Sequence, residues 1–184
     1  LERVRGIGTL VNHDVVQMEN RLDQKVEFYH MIRDAGRQPH SDHVMVTRET
    51  ASPALAQRLG LPEGEEHTLV FVRRRVLADD LPVLYSTDVL PLALFGGQRL
   101  DALDFTQPIF SIVEEFCHVK VTKTLAHMRA VTGSPTIRRQ LALRPEQALM
   151  QLDETCYSRL CRPVLCCRTC YTDFFDFAIV RKLI

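Results

Sequence analysis

Residues 68–91 read TLVFVRRRVLADDLPVLYSTDVLP, and this stretch decides the fold. Residues 69–76 are rich in β-branched and apolar side chains, which favour an extended strand. Residues 78–80 form a polar break, and residues 82–90 resume the strand pattern. The stretch therefore predicts a central hairpin of two strands joined by a short turn.

Three consecutive arginines lie inside the first strand of this hairpin. Because strand side chains alternate between faces, Arg74 points to one face and both Arg73 and Arg75 point to the other. One face of the hairpin covers the core, so we expect at least one guanidinium to be partly buried beside an anion. Two interpretations follow: a salt bridge to one of the chain's own carboxylates, or an anchor for a small acidic ligand.

The bulk composition limits the classes of function. The chain has 184 residues, which suits one domain, and its 23 Lys and Arg balance 23 Asp and Glu, so general polyanion binding is not indicated. We expect the six cysteines to be reduced thiols in a cytoplasmic protein, since their spacing is not that of a zinc site. No catalytic triad, phosphate loop, cofactor motif or transmembrane run is evident, so no cofactor and no membrane are expected.

Two segments of the chain resemble each other. Residues 52–61 and 134–143 both start with Ser-Pro, a helix cap followed by the first helical residue, and the second segment follows the first by 82 positions. Downstream, Pro-Val-Leu recurs at residues 82–84 and 163–165. Unless this similarity is coincidental, it predicts two β-α-β-β halves in an α+β fold, with helices over a largely antiparallel sheet. A pocket at the seam between the halves is then the natural ligand site.

The remaining elements follow from periodicity. Helical spacing predicts helices over residues 24–35 and 108–116. Alternating patterns predict a short strand at residues 43–48, a long one at 119–131, a second hairpin from 148–158 and 163–171, and a last strand at 173–181.

Five short motifs together resemble a known family. Residues 5–11 (RGIGTLV) look like the last wing strand of a winged-helix domain, and the others are residues 59–64 (LGLPEG), 78–82 (ADDLP), 88–91 (DVLP) and 171–174 (YTDF). In this order they resemble the effector-binding domain of GntR-type transcription regulators of the HutC subfamily, the UTRA or chorismate-lyase-like domain. The resemblance implies a mixed, largely antiparallel sheet with flanking helices. It divides the chain into residues 1–23, the end of the wing and a linker, and residues 24–184, the UTRA effector-binding and dimerisation domain.

The resemblance also implies a function. Such a domain binds a small-molecule effector and changes how a homodimer holds operator DNA through an N-terminal winged-helix domain, which we expect to lie outside this chain. We expect the homodimer to form through the sheet or through the predicted C-terminal strand.

The family resemblance assigns the candidate effector-binding residues. Arg74 matches the first arginine of the family's phosphate clamp, and Phe28 and Tyr171 match as well. Glu27, Ser86 and Val76 replace other ligand-contacting groups of the family. These departures argue against a phosphorylated sugar and favour a smaller, acidic or partly apolar metabolite whose acidic group Arg74 anchors. If the register is shifted by one residue, Arg73 and Arg75 become the ligand pair instead.

Two other functions stay open at this point. A chorismate-lyase-like enzyme would hold its product with Arg74 and Glu154, and Glu154 completes the candidate set for this reason. A dimerisation module without an effector is the other alternative. The wing-like residues at the start of the chain favour a regulator, so we expect no enzymatic activity.

Overall fold

One six-stranded antiparallel sheet organises the fold, which is seen in a computed structural model that describes residues 2–6, 8–10 and 20–181. Two short strands, β1 (Glu2–Val4) and β2 (Gly8–Leu10), pair as a separate ribbon. The sheet strands are β3 (Pro39–Thr50), β4 (Thr68–Ala78), β5 (Leu81–Pro91), β6 (Val121–Val131), β7 (Leu149–Ser158) and β8 (Pro163–Tyr171). The α-helices are α1 (Phe28–Asp34), α2 (Pro53–Arg58), α3 (Ile109–Cys117) and α4 (Pro135–Gln140), and 3₁₀ turns span Leu92–Phe95 and Leu100–Ala102.

The order of the strands confirms the predicted repeat. The sheet runs β3-β4-β5-β8-β7-β6, so exchanging the two halves leaves the order unchanged. Each half contributes a helix, a strand, a second helix and a hairpin, in the orders α1-β3-α2-β4-β5 and α3-β6-α4-β7-β8. The halves meet where β5 pairs with β8, with Ser86 opposite Thr169.

The two Ser-Pro segments form equivalent helix starts. The Ser52 hydroxyl accepts a hydrogen bond from the Leu55 N–H, and the Ser134 hydroxyl accepts one from the Ile137 N–H. A proline follows each serine at the first helical position, where its missing N–H costs nothing. Local chemistry therefore fixes where α2 and α4 begin.

The four α-helices of the described residues cover the sheet in two pairs. On one face, Leu59 at the end of α2 and Leu141 at the end of α4 pack on separate apolar clusters. On the opposite face, α1 and α3 cover two larger clusters. In one cluster Ile32 of α1 packs with Val76, Leu84, Leu152 and Phe175, and in the other Ile112 of α3 packs with Val70, Val72, Leu90 and Leu165. The strip of sheet between the α1 and α3 clusters carries the polar groups described below.

Some boundaries differ from the predictions. Helix α1 begins only at Phe28, because Glu27 has an extended backbone, and β3 is longer than the predicted strand at residues 43–48. The predicted last strand at residues 173–181 is wrong, because in the described part of this segment only an isolated bridge joins Ala178 to Arg21. Strand β8 already pairs with β5 on one side and β7 on the other, so it has no free edge for a further strand. Phe175 and Phe177 turn instead onto the ring of Tyr171, at centroid distances of 5.1 and 5.0 Å.

The predicted domain boundary falls largely outside the described residues. Residues 7 and 11–19 are outside the described residues, so the division of the chain after residue 23 stays a prediction. No helix within the described residues has the length and apolar character needed to cross a membrane.

Candidate functional site

The three arginines of β4 point to opposite faces, as their alternation predicts. The Arg74 side chain is completely buried under α1 and α3. Arg73 and Arg75 lie on the other face, where they pair with Glu49 and Asp42. Among the three, only Arg74 therefore faces the buried polar strip.

Arg74 is held by groups from its own chain. Its Nη2 atom donates to Asp88 Oδ2 at 2.6 Å, and Nη1 donates to the main-chain carbonyls of Gln107 and, at 3.4 Å, Phe105. The guanidinium carbon lies 5.8 Å from the centroid of the Phe28 ring. The structure thus bears out the salt-bridge interpretation, since Asp88 neutralises the charge of Arg74.

Three buried polar atoms near this pair lack a hydrogen-bond partner among the described residues. They are Arg74 Nε, the hydroxyl oxygen of Ser86 and Oε1 of Glu27. Ser86 lies directly opposite Arg74 in the β4–β5 ladder. Buried polar atoms are nearly always hydrogen-bonded in proteins, so these three are candidates for contact with water or a ligand.

A second ion pair joins Lys25, which precedes α1, to the buried carboxylate of Glu154 on β7. Lys25 Nζ donates to Glu154 Oε2 at 2.7 Å, and the Glu154 side chain is 2% exposed while that of Lys25 is 30% exposed. The ammonium also lies 5.6 Å from the centroid of the Phe110 ring. Burial lowers the pKa of Lys25, but its Coulombic interactions with Tyr171 and Glu154 and its hydrogen bond to Glu154 outweigh that effect, so the pKa of Lys25 is raised and the ammonium keeps its charge.

Arg74 and Glu154, one member of each ion pair, occupy equivalent positions in the two halves. When the two halves are exchanged about the β5–β8 seam, Ser86 takes the place of Cys167. Arg74 is opposite Ser86 and Glu154 is opposite Cys167, so Arg74 takes the place of Glu154. The contacts are crossed: residues 105–107, before α3, reach Arg74, whereas Lys25, before α1, reaches Glu154. Each half therefore supplies one of these two equivalent charges and the segment that contacts the other half's charge.

Glu27 is the one acid of this group that no cation contacts directly among the described residues. Desolvation raises the pKa of Glu27 to about 7, with Lys25 and Arg74 opposing the shift and Asp88 and Glu154 adding to it. Because the neighbouring cations already pair with Asp88 and Glu154, little positive charge is left to stabilise an ionised Glu27.

A cavity of about 490 Å³ opens beside the second ion pair. Residues 20–26 form one wall of the cavity, and β6 and β7 form another. Lys25, Glu154 and Tyr171 line the cavity, and desolvation raises the pKa of Tyr171 to about 12, so its hydroxyl stays protonated. The structure thus puts Glu154 and Tyr171 on the cavity wall, whereas the other predicted residues, Arg74, Ser86, Glu27 and Phe28, lie outside its lining.

Sequence reasoning missed two residues of the site. Asp88 was recognised only as part of a family motif, although strand alternation from Ser86 puts it on the same face as Arg74. Lys25 reaches its partner across 129 positions, and no local pattern signals such a contact.

The cysteines form no metal-binding group in the part of the chain that the structure describes. All six are free thiols, and Cys156 Sγ lies 3.8 Å from Cys167 Sγ in the core. A hydrogen bond with Cys156 and desolvation raise the pKa of Cys167 well above its ordinary value, so this thiol is protonated and unreactive.

Comparison with known proteins identifies the fold and the family. Residues 34–173 match the UTRA domain family. PhnF from Mycobacterium smegmatis has a similar structure, with a TM-score of 0.78 and 17% identity over 89% of this chain and 71% of that chain. A ligand-binding domain from Bordetella bronchiseptica, assigned to the GntR family of transcriptional regulators, is 27% identical, with a TM-score of 0.66 over 74% of this chain and 85% of that chain.

A GntR-family transcriptional regulator from Bacillus cereus gives a TM-score of 0.64 at 17% identity, covering 78% of this chain and 99% of that chain. No curated protein matches the sequence. The chain therefore belongs to the UTRA domain family, and two of these similar structures, from Bordetella bronchiseptica and Bacillus cereus, are described as belonging to GntR-family transcriptional regulators.

Proposed function

We propose that the chain is the effector-binding and dimerisation domain of a bacterial GntR-type transcription regulator of the HutC subfamily. In this proposal it senses a small metabolite in the cytoplasm and modulates operator binding by an N-terminal winged-helix domain. The UTRA family match and the resemblance to a domain described as ligand-binding support this proposal.

The observation that carries the proposal is the cavity with a buried ion pair on its wall. A buried ion pair is often no better for stability than apolar side chains of similar volume, so it is weak evidence of a purely structural role. Here the Lys25–Glu154 pair lies at the wall of a space large enough for a small metabolite. The other candidate residues would support this wall without lining the cavity; they are Arg74, Ser86, Glu27 and Phe28.

The ion pairs also bear on the ligand. The predicted acidic group at Arg74 stays untested, but it would have to displace Asp88, which lies 2.6 Å from the guanidinium. A phosphorylated sugar would need several donors or cations, whereas Arg74 and Lys25 already pair with Asp88 and Glu154, which leaves Lys123 as the cation on the cavity wall without a carboxylate among the described residues. The chorismate-lyase-like alternative is weakened for the same reason, because Asp88 already occupies the carboxylate-binding side of Arg74.

The cavity wall offers a route from effector to DNA. Residues 20–26 contact the cavity and lie between the predicted wing and helix α1. A ligand that contacts this segment would favour one of its conformations, which is the differential interaction that any allosteric change requires.

A thermal-shift screen of metabolites tests the effector site. We expect at least one compound to stabilise the chain, by about 2.7 kcal/mol at a hundredfold excess over its Kd. Glu154→Gln should weaken binding of that compound, because Glu154 lines the cavity, whereas the surface control Glu114→Gln should not. If no compound in a broad panel stabilises the chain, the alternative of a dimerisation module without an effector is favoured.

The homodimer makes a separate prediction. The C-terminal segment forms no strand within the described residues, so the sheet is the predicted interface that remains, and its edge strand β6 exposes Leu125 and Met128 at 54% and 50% of their area. We expect the chain to be a dimer by light scattering, and Leu125→Lys with Met128→Lys to make it a monomer. Met45→Lys on the opposite edge strand is the matched control. A parent chain that is monomeric at micromolar concentrations would contradict this prediction.

A further inference from the structure

Lys25 places a cation on the cavity wall. Its ammonium lies 2.7 Å from Glu154 Oε2 and 5.6 Å from the centroid of the Phe110 ring, and part of its side chain remains exposed. A carboxylate together with an aromatic face is a favourable environment for an ammonium or amidinium group. The wall is therefore built to hold a cation, and in this structure the cation comes from the chain itself.

The remaining charges of the site favour the same conclusion. Without Lys25, three acids, Glu27, Asp88 and Glu154, face one buried cation, Arg74, which already pairs with Asp88. Oε1 of Glu27 is buried and has no partner among the described residues. A group that replaces the Lys25 ammonium must then carry positive charge, because otherwise Glu154 would be left buried and unpaired.

We infer that the effector carries a cationic group, such as a protonated amine or an amidine, and that this group binds Glu154 in the place that Lys25 occupies in this structure. The inference rests on the proposed effector site and names the chemical class of its ligand. Lys25 then acts as a tethered competitor. When the ligand displaces it, the segment of residues 20–26 that carries Lys25 loses its contact with β7.

Lys123 is the rival feature on the same wall. Lys123 lines the cavity, and its Nζ atom lies 3.2 Å from Cys161 Sγ. No carboxylate among the described residues forms a salt bridge with Lys123. An anionic effector would use Lys123, so the test must separate the two charges.

The test uses n-butylamine and butanoate as probes of matched size and opposite charge, measured by calorimetry at low ionic strength. Lys25→Met removes the tethered cation and keeps most of the apolar side chain. We expect this variant to bind n-butylamine at least about tenfold more tightly than the parent chain, and neither protein to bind butanoate. Lys120→Met, a surface lysine outside the cavity lining, is the matched control and should behave as the parent does. Adding Glu154→Gln to Lys25→Met should abolish the gain.

Two results would overturn the inference. One is equal affinity of the parent and Lys25→Met for n-butylamine, and the other is butanoate binding that Lys123→Met removes. The second result would leave an effector site in the cavity and refute only its preference for cations, whereas failure of the whole metabolite screen would refute the site itself. Should Lys25→Met be unfolded, we expect n-butylamine to restore its circular dichroism where equimolar sodium chloride does not, and failure of that rescue counts against the inference.

Discussion

Replacement of Asp88 by alanine is expected to lower the free energy of unfolding by about 3–5 kcal/mol, the usual cost of removing one member of a buried ion pair. The Arg74 side chain is 0% exposed and that of Asp88 is 3% exposed, so water cannot replace the lost carboxylate. The carbonyls of Phe105 and Gln107 would remain as acceptors, but they carry no net charge. Urea unfolding followed by circular dichroism measures the effect.

Two control variants show whether the loss comes from the unpaired cation. The double variant Arg74→Met with Asp88→Leu removes both charges and keeps the core filled, so it should be much closer to the parent in stability. Asp101→Ala breaks a pair between Asp101 and Arg99, whose side chains are 66% and 81% exposed, and it should leave the free energy of unfolding nearly unchanged. If the double variant is as unstable as Asp88→Ala, packing rather than charge explains the effect.

The fold could be predicted largely from local signals. The Ser-Pro starts of α2 and α4 and the alternation in β4 and β5 are short-range patterns, and they gave the two halves and their sheet correctly. The predicted strand at residues 173–181 failed because its alternating apolar residues suit an aromatic cluster around Tyr171 as well as they suit a ladder. Periodicity cannot show that β5 and β7 already pair with both edges of β8.

The site was less predictable, because its key contacts join distant parts of the chain. The face of Arg74 followed from strand alternation, and Asp88 could have been found from the same rule applied to β5. The pairing of Lys25 with Glu154 depends on how residues before α1 cross to the other half, which no local pattern encodes. Because the sequence did not reveal the Lys25–Glu154 pair, it suggested a site for an anion. The charges that the structure describes instead leave Oε1 of the acid Glu27 without a partner.

Glu27 gives the second large effect, a pH-dependent one. Desolvation raises its pKa from 4.5 in the unfolded chain to about 7 in the folded protein, so the folded state binds this proton more tightly. The resulting stability is fully present below about pH 4.5 and is lost as the pH rises through about 7. Glutamine has the same shape and does not titrate, so Glu27→Gln should be as stable as the parent near pH 4.5. Near pH 8 the variant should be more stable by about 2–3 kcal/mol.

The measurement is the difference in free energy of unfolding between the parent and Glu27→Gln at several pH values, because groups common to both proteins cancel in that difference. Glu49→Gln is a control of opposite sign, since hydrogen bonds from Thr47 and Arg73 lower the pKa of Glu49. The difference in free energy of unfolding between the parent and Glu49→Gln should therefore be small, and it should favour the parent as the pH rises. A difference for Glu27→Gln that stays constant from about pH 4.5 to about pH 8 would show that Glu27 ionises normally in the folded protein. The acid would then have a cation or water beside it, and the charge argument for a cationic effector would lose one of its supports.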